Sequence, residues 1–129
     1  MRYNKYGNKK SVLDDIDFDS LKEARRYKEL VLLLKNGTIS DLELQKPYEL
    51  IPAQYKLVKT GDVYKKGVKK GQPKMKAVCV ERSVNYCADF VYKENGKTVV
   101  EDAKGVRTKE YMIKRKLMLF VHGIRIKEI

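Results

Sequence analysis

The Asn95-Gly96 pair constrains this chain more than any other feature, because Asn-Gly between alternating apolar residues is the strongest short-range signal for a hairpin turn. It lies within residues 86–105, YCADFVYKENGKTVVEDAKG, and a turn there sets the register of both strands. Glu94 then faces Lys97, and the pairing runs back through Tyr92/Val99, Val91/Val100, Phe90/Glu101, Asp89/Asp102 and Cys87/Lys104. Side chains alternate between faces along a strand. One face therefore carries Val91, Asp89 and Cys87 beside Val100, Asp102 and Lys104, and the other carries Phe90, Tyr92, Val99 and Glu101.

Two carboxylates and an ammonium thus share one patch. Like charges directly opposite destabilise a strand pair, so the pattern points to a cation, or a proton, between Asp89 and Asp102. The competing reading is a solvated hairpin edge, where charge costs little. The helices on either side shift the balance toward the first.

With 129 residues, 43% of them hydrophobic, a single domain over residues 1–129 with a real core is expected. No apolar run is long enough for a membrane span, and the basic head MRYNKYGNKK lacks the apolar segment of a signal peptide. A cytoplasmic protein with no membrane partner follows. Cys79 and Cys87 are too few for a zinc site and, in a reducing compartment, read as small buried residues. The net charge of +12, from 29 Lys and Arg against 17 Asp and Glu, attracts polyanions, and nucleic acid is the leading partner. An anionic membrane surface would call for a helix joining a purely apolar face to a Lys-rich one, and solubility alone would be served by an even mix of signs.

Residues 1–17 show neither helical nor strand periodicity and read as a basic arm. Ser20 followed by Glu23 has the spacing of a capping box and opens a helix that runs to Lys35 and stops at Asn36-Gly37. Leu21, Ala24, Tyr27, Val31 and Leu34 form its apolar stripe, and Arg25, Arg26 and Lys28 its solvated side. Glu23 has two compatible readings, a cap acceptor and an inward carboxylate that reaches the acidic patch of the hairpin. Residues 39–51 alternate as a first strand broken at Pro47. Residues 56–76 are Lys- and Gly-rich with little to bury, and read as a mobile basic loop or a ribbon, a candidate phosphate clamp with Tyr64 available to stack. Residues 77–84 add a strand that breaks near Ser83. Thr108 caps a second helix that ends at Gly123, with Met112, Ile113, Leu117, Phe120 and Val121 as its apolar positions. Ile124, Ile126 and Ile129 close the chain as a strand parallel to the one that carries Asp102. The expected class is α/β, a mixed sheet flanked by helices in the order αβββαβ, with a three-strand antiparallel meander and one parallel crossover strand.

Glu23 in a first helix, Asp89 late in one strand, Asp102-Ala103-Lys104 in the next, then a helix and a final strand: this combination resembles the restriction-endonuclease-like core of the PD-(D/E)XK nuclease superfamily. The segments FDSLKEARRYKEL, LELQKPYELIPA, YCADFVYKENGKTVVEDAKG and RTKEYMIKRKLMLFVHGIRIKEI look like a phage- and prophage-encoded group of small proteins, similar in turn to transposon-end and junction-cutting endonucleases. The likeness spans nearly the whole chain apart from the basic head and the Lys/Gly segment. Asp102 stands where Glu is more usual, and Ala88 where a Pro commonly precedes the first Asp.

The resemblance implies a metal-dependent DNA endonuclease that hydrolyses phosphodiester bonds in phage DNA replication, recombination or packaging, inside a bacterial host. It implies Mg2+ or Mn2+ as cofactor and DNA, branched or replicating, as partner. Asp89 and Asp102 would be metal ligands together with the carbonyl of Ala103; Lys104 would orient or help deprotonate the attacking water; Glu23 would hold metal-bound water or a second ion. A non-catalytic basic DNA-binding adaptor of a phage DNA-processing complex stays open as the alternative, and so does a homodimer. His122, at a helix end, suits a surface role beside the helix dipole, and Tyr86 and Tyr111 read as packing.

Overall fold

A computed structural model describes residues 16–129 and, for residues 11–13, the backbone. Its elements are β1 (Ser11–Leu13), β2 (Ile16–Phe18), α1 (Leu21–Lys35), β3 (Ser40–Ile51), β4 (Gln54–Val63), β5 (Pro73–Glu81), β6 (Val84–Glu94), β7 (Lys97–Asp102), α2 (Lys109–His122) and β8 (Lys127–Glu128). Most of the expected basic arm lies outside the described residues. Its described end is not featureless, since β1 and β2 pair antiparallel; strands of three residues are too short to show alternation in sequence.

The hairpin forms as the turn dictates. Asn95 and Gly96 both take positive φ, 52° and 75°, and β6 pairs with β7 from Glu94↔Lys97 through Tyr92↔Val99 and Val91↔Val100 to Phe90↔Glu101. The central sheet has the order β3-β6-β7-β8, and β8 lies parallel to β7, with Glu101↔Lys127 and Asp102↔Glu128 in register. The fold is therefore α/β, a mixed sheet with two helices. Residues 77–84 do not join that sheet as one strand. β5 ends at Glu81 and pairs with β4 as a separate two-stranded sheet, and a new strand begins at Val84. The Lys/Gly segment is thus the ribbon of the two alternatives.

The chain divides into two compact units, one formed by the residues up to Tyr48 together with Tyr86–Ile129, the other by Glu49–Asn85. The core of the first is Phe18, Ala24, Leu30, Ile39, Phe90 and Tyr92, with Tyr27, Leu33, Leu42, Leu44 and Val99 against it. Burying a Leu or Phe side chain in full contributes about 1.5–3 kcal/mol, so this cluster is what fixes α1 on the Phe90/Tyr92 face of the hairpin. Both helices start and stop at the expected residues: Ser20 and Thr108 accept from the backbone N–H three residues on, and Gly123 takes the left-handed conformation after α2.

Their faces are rotated from expectation. In α1 the buried residues are Glu23, Ala24 and Leu30, whereas Leu21 and Leu34 are exposed; the run LVLLL at 30–34 is apolar all round, so periodicity could not choose a side. Arg26, expected in solvent, is turned inward onto Glu101. In α2 Tyr111 and Met118 are buried, and Met112, Ile113, Phe120 and Val121 are exposed. Both cysteines are exposed, not buried: Cys79 sits on the open ribbon and Cys87 on the charged face of β6. Among the described residues no helix is long and apolar enough to cross a membrane.

Candidate functional site

The N-cap of α1 places the first carboxylate. Ser20 Oγ accepts from the Glu23 N–H at 3.1 Å, which fixes the first turn, and the Glu23 carboxylate points inward, its residue 6% exposed. Its Oε1 accepts from Gln45 Nε2 at 3.0 Å, and the same amide nitrogen lies 3.3 Å from Asp89 Oδ1. Asp89 Oδ2 accepts from the backbone N–H of Ala103 at 2.8 Å, so the residue between the two expected site side chains is tied directly to the facing strand. Asp102 is fully buried; its Oδ2 accepts from the Tyr86 hydroxyl at 2.5 Å, and its Oδ1 stands 3.3 Å from Lys104 Nζ without accepting a hydrogen bond. Glu23, Asp89, Ala103 and Lys104 line one cleft of about 340 Å3 with Asp19, Ser20 and Lys22.

Of the expected set, Glu23, Asp89, Ala103 and Lys104 share the cleft, while Asp102 is not among its lining residues and stands beside it through Lys104. The ladder ends at Phe90↔Glu101 and β7 at Asp102, so Asp89 and Asp102 lie one step beyond the last pair, and Cys87 and Lys104 are not paired. Glu101 faces the other side, as the register required: it is fully buried and bonded to Arg26 and Tyr92.

Two residues that contact the site side chains were not read as such in the sequence, Gln45 and Tyr86. Gln45 uses its amide fully, the Nε2 toward Glu23 and Asp89 and the Oε1 accepting from the Cys87 thiol at 3.3 Å. It has φ of 50°, a left-handed conformation rare for a side chain of this kind and seldom found inside a strand. A single Gln in an alternating strand gives no warning of that. Tyr86 was read as packing, yet it holds Asp102; alternation counted back from Phe90 would put it on the wrong face, but pairing has already stopped there.

Crowding of acids away from water shifts their ionisation. Burial, then the neighbouring Asp89, raise the Glu23 carboxyl from an ordinary 4.5 to about 7. Burial likewise lifts Asp89 from 3.8 to about 6, against the lowering effect of the Ala103 N–H. Although Cys87 is an exposed residue, its thiol is pushed up by partial desolvation and then by the Asp89, Asp102 and Glu23 carboxylates. For both acids the folded value lies above the unfolded one. Folding thus favours the protonated forms, and this contribution to stability is complete below about pH 4 and is lost as pH rises through about 6 and 7. Urea midpoints measured from pH 5 to 8 without divalent ions should fall with pH in the native protein. In the Glu23→Gln/Asp89→Asn double variant that fall should flatten; an unchanged slope would mean that these carboxyls titrate normally.

Whether the donors suit a divalent cation can be judged from their chemistry. Among the described residues no group of three His, Cys, Asp or Glu side chains stands close enough to hold a metal ion. The oxygens available are nonetheless the hard ligands that Mg2+ and Mn2+ prefer, and Asp102 Oδ1 is a buried acceptor that no hydrogen bond satisfies. The Gln45 amide nitrogen lies between the Glu23 and Asp89 carboxylates and bonds to both.

No curated protein and no solved structure matches this chain. A family model does, over residues 3–125. The chain, with its helix-borne Glu23 and hairpin-borne Asp89 and Asp102, belongs to the family described as protein of unknown function, DUF1064.

Proposed function

We propose that this protein is a metal-dependent DNA endonuclease built on a restriction-endonuclease-like core of the PD-(D/E)XK kind. The observation that carries the reading is the convergence of Glu23, Asp89, Ala103 and Lys104 on one cleft, with the buried Asp102 carboxylate 3.3 Å from the Lys104 ammonium. The residues that build it come from α1 and from the β6–β7 hairpin, in the order that the resemblance implies; α2 follows in the chain, and the parallel β8 completes the central sheet.

Phosphodiester hydrolysis needs an oriented water, neutralised phosphoryl oxygens and a stabilised leaving oxygen. Asp89, Asp102 and the Ala103 carbonyl would hold Mg2+ or Mn2+, with Glu23 reaching in from α1; the ion, when bound, supplies Lewis acidity and lowers the pKa of water. Lys104 would hold the attacking water by its ammonium and offset charge on the phosphate. Tyr86 keeps Asp102 in place through its hydroxyl, and the Ala103 N–H does the same for Asp89. Gln45 spaces Glu23 from Asp89.

One observation favours the second reading, a non-catalytic DNA-binding adaptor: no three ligating side chains among the described residues stand at metal-binding distance. Linear, nicked, single-stranded and four-way-junction DNA incubated with Mg2+, with Mn2+ and with chelator separates the two. Cleavage that requires the metal and stops in chelator is expected. DNA bound but uncut under every condition would leave the adaptor, and cutting undiminished in excess chelator would end the metal-dependent reading.

A further inference from the structure

We infer that the β4–β5 ribbon lays one of its faces, the one carrying Lys56, Lys74 and Lys76, into the major groove of duplex DNA. The inference rests on DNA being the partner and not on cleavage. The register sorts the side chains of the ribbon into two unlike faces. Lys56 pairs with Val78 and Val58 with Lys76, so these four share one face, and alternation along β5 adds Lys74 to it. Tyr55 pairs with Cys79, Leu57 with Ala77 and Lys59 with Met75, so the other face is apolar apart from a single ammonium.

A two-stranded ribbon that buries little has no need to segregate its charge in this way for its own stability. Tyr55 and Leu57 are 63% and 68% exposed, and only Val58 and Val78 of the paired stretch are half-buried. Residues 54–81 carry Lys56, Lys59, Lys65, Lys66, Lys69, Lys70, Lys74 and Lys76 against Asp62 and Glu81, an excess that suits a polyanion. At the turn end the Tyr64 ring stands 5.7 Å from both the Lys69 and the Lys74 ammonium, which limits the freedom of Lys74 before any ligand arrives.

Shape selects the polymer. The major groove of B-form DNA, about 12 Å wide, admits a two-stranded ribbon whose strands are about 4.8 Å apart. The major groove of duplex RNA is deep and narrow and does not. Phosphates on the two walls of the DNA groove would meet Lys56 on one strand and Lys74 and Lys76 on the other.

The test compares the faces in chelator, so that binding is read without cleavage. Fluorescence anisotropy of a labelled DNA duplex across a salt series gives the slope of log affinity against log salt for the native protein, for Lys56→Gln/Lys74→Gln/Lys76→Gln, and for Lys59→Gln on the opposite face. All four side chains are exposed, and a thermal melt checks that each variant keeps its fold. The triple variant should make the slope shallower by about 2.7, at roughly 0.9 per phosphate contact, and Lys59→Gln should leave it unchanged. A per-charge loss as large from Lys59→Gln, or no loss from the triple variant, would overturn the assignment of the face. Equal competition by duplex RNA would replace groove docking by simple polyanion attraction. Cleavage assays on the same proteins are read separately, so absence of nuclease activity leaves this result standing and the reverse also holds.

Discussion

Asp102→Asn is expected to lower metal-dependent DNA cleavage by at least about 100-fold while leaving metal-free DNA affinity close to native. Loss even of a group that only supports a ligand typically costs 10- to 100-fold, and Asp102 would be a ligand itself. The substitution is close to isosteric, and the amide oxygen can still accept from the Tyr86 hydroxyl that now bonds Oδ2. What it removes is the charge opposite Lys104 and the anionic oxygen that no hydrogen bond satisfies. Because Asp102 is fully buried, no DNA phosphate touches it, and binding has no direct reason to change. Single-turnover cleavage in Mg2+ against anisotropy in chelator makes the comparison. A native cleavage rate in the variant would remove Asp102 from the proposed machinery and, with it, the reading of the cleft as a nuclease site.

What could be read in the sequence was local chemistry with few competitors. Asn-Gly leaves one turn and one register, so the opposite placement of Asp102 and Glu101 followed from counting; Ser20, Thr108 and Gly123 bounded two helices for the same reason. Legibility ended where tertiary packing chooses among equals. The run at residues 30–34 offers apolar side chains in every direction, and only the position of Phe90 and Tyr92 decides that Leu30 is the buried one. The same decision carries Arg26 inward, since it lies four residues before Leu30 and so shares its side of the helix. Gln45 was illegible for a different reason: its left-handed backbone is a conformation its residue type does not announce, sustained by contacts to Glu23, Asp89 and Cys87 from two other elements. The two faces of the ribbon needed a register too, and residues 54–81 contain no turn as restrictive as Asn-Gly to supply it.

Arg26→Met should destabilise the protein by about 3–5 kcal/mol, a large part of the roughly 5–15 kcal/mol that holds a domain of this size together. Arg26 meets Glu101 as a fork, Nε to Oε1 at 2.8 Å and Nη2 to Oε2 at 2.7 Å, and its Nη1 also bonds Glu29. Glu101 has no exposed surface, and burial alone would raise its carboxyl; the bonds from Arg26, and then from Tyr92, prevail and hold it below its usual range. Without the guanidinium the carboxylate keeps the Tyr92 hydroxyl, but its remaining cation is Lys127 at 3.9 Å, half-exposed. A buried charge left with so little compensation must either take up a proton or open the core around Phe90 and Tyr92. The Arg26→Met/Glu101→Leu double variant removes both charges together and should recover much of the loss, because the two substitutions act on one interaction and are not additive. Urea midpoints of the native protein and the two variants measure this. At a temperature where Arg26→Met remains folded, its cleavage per folded molecule should stay near native, since the pair lies on the face of the hairpin away from Asp89 and Asp102. A stable Arg26→Met would mean that the fork does not form, and a folded but inactive one would move Arg26 from the core to the site.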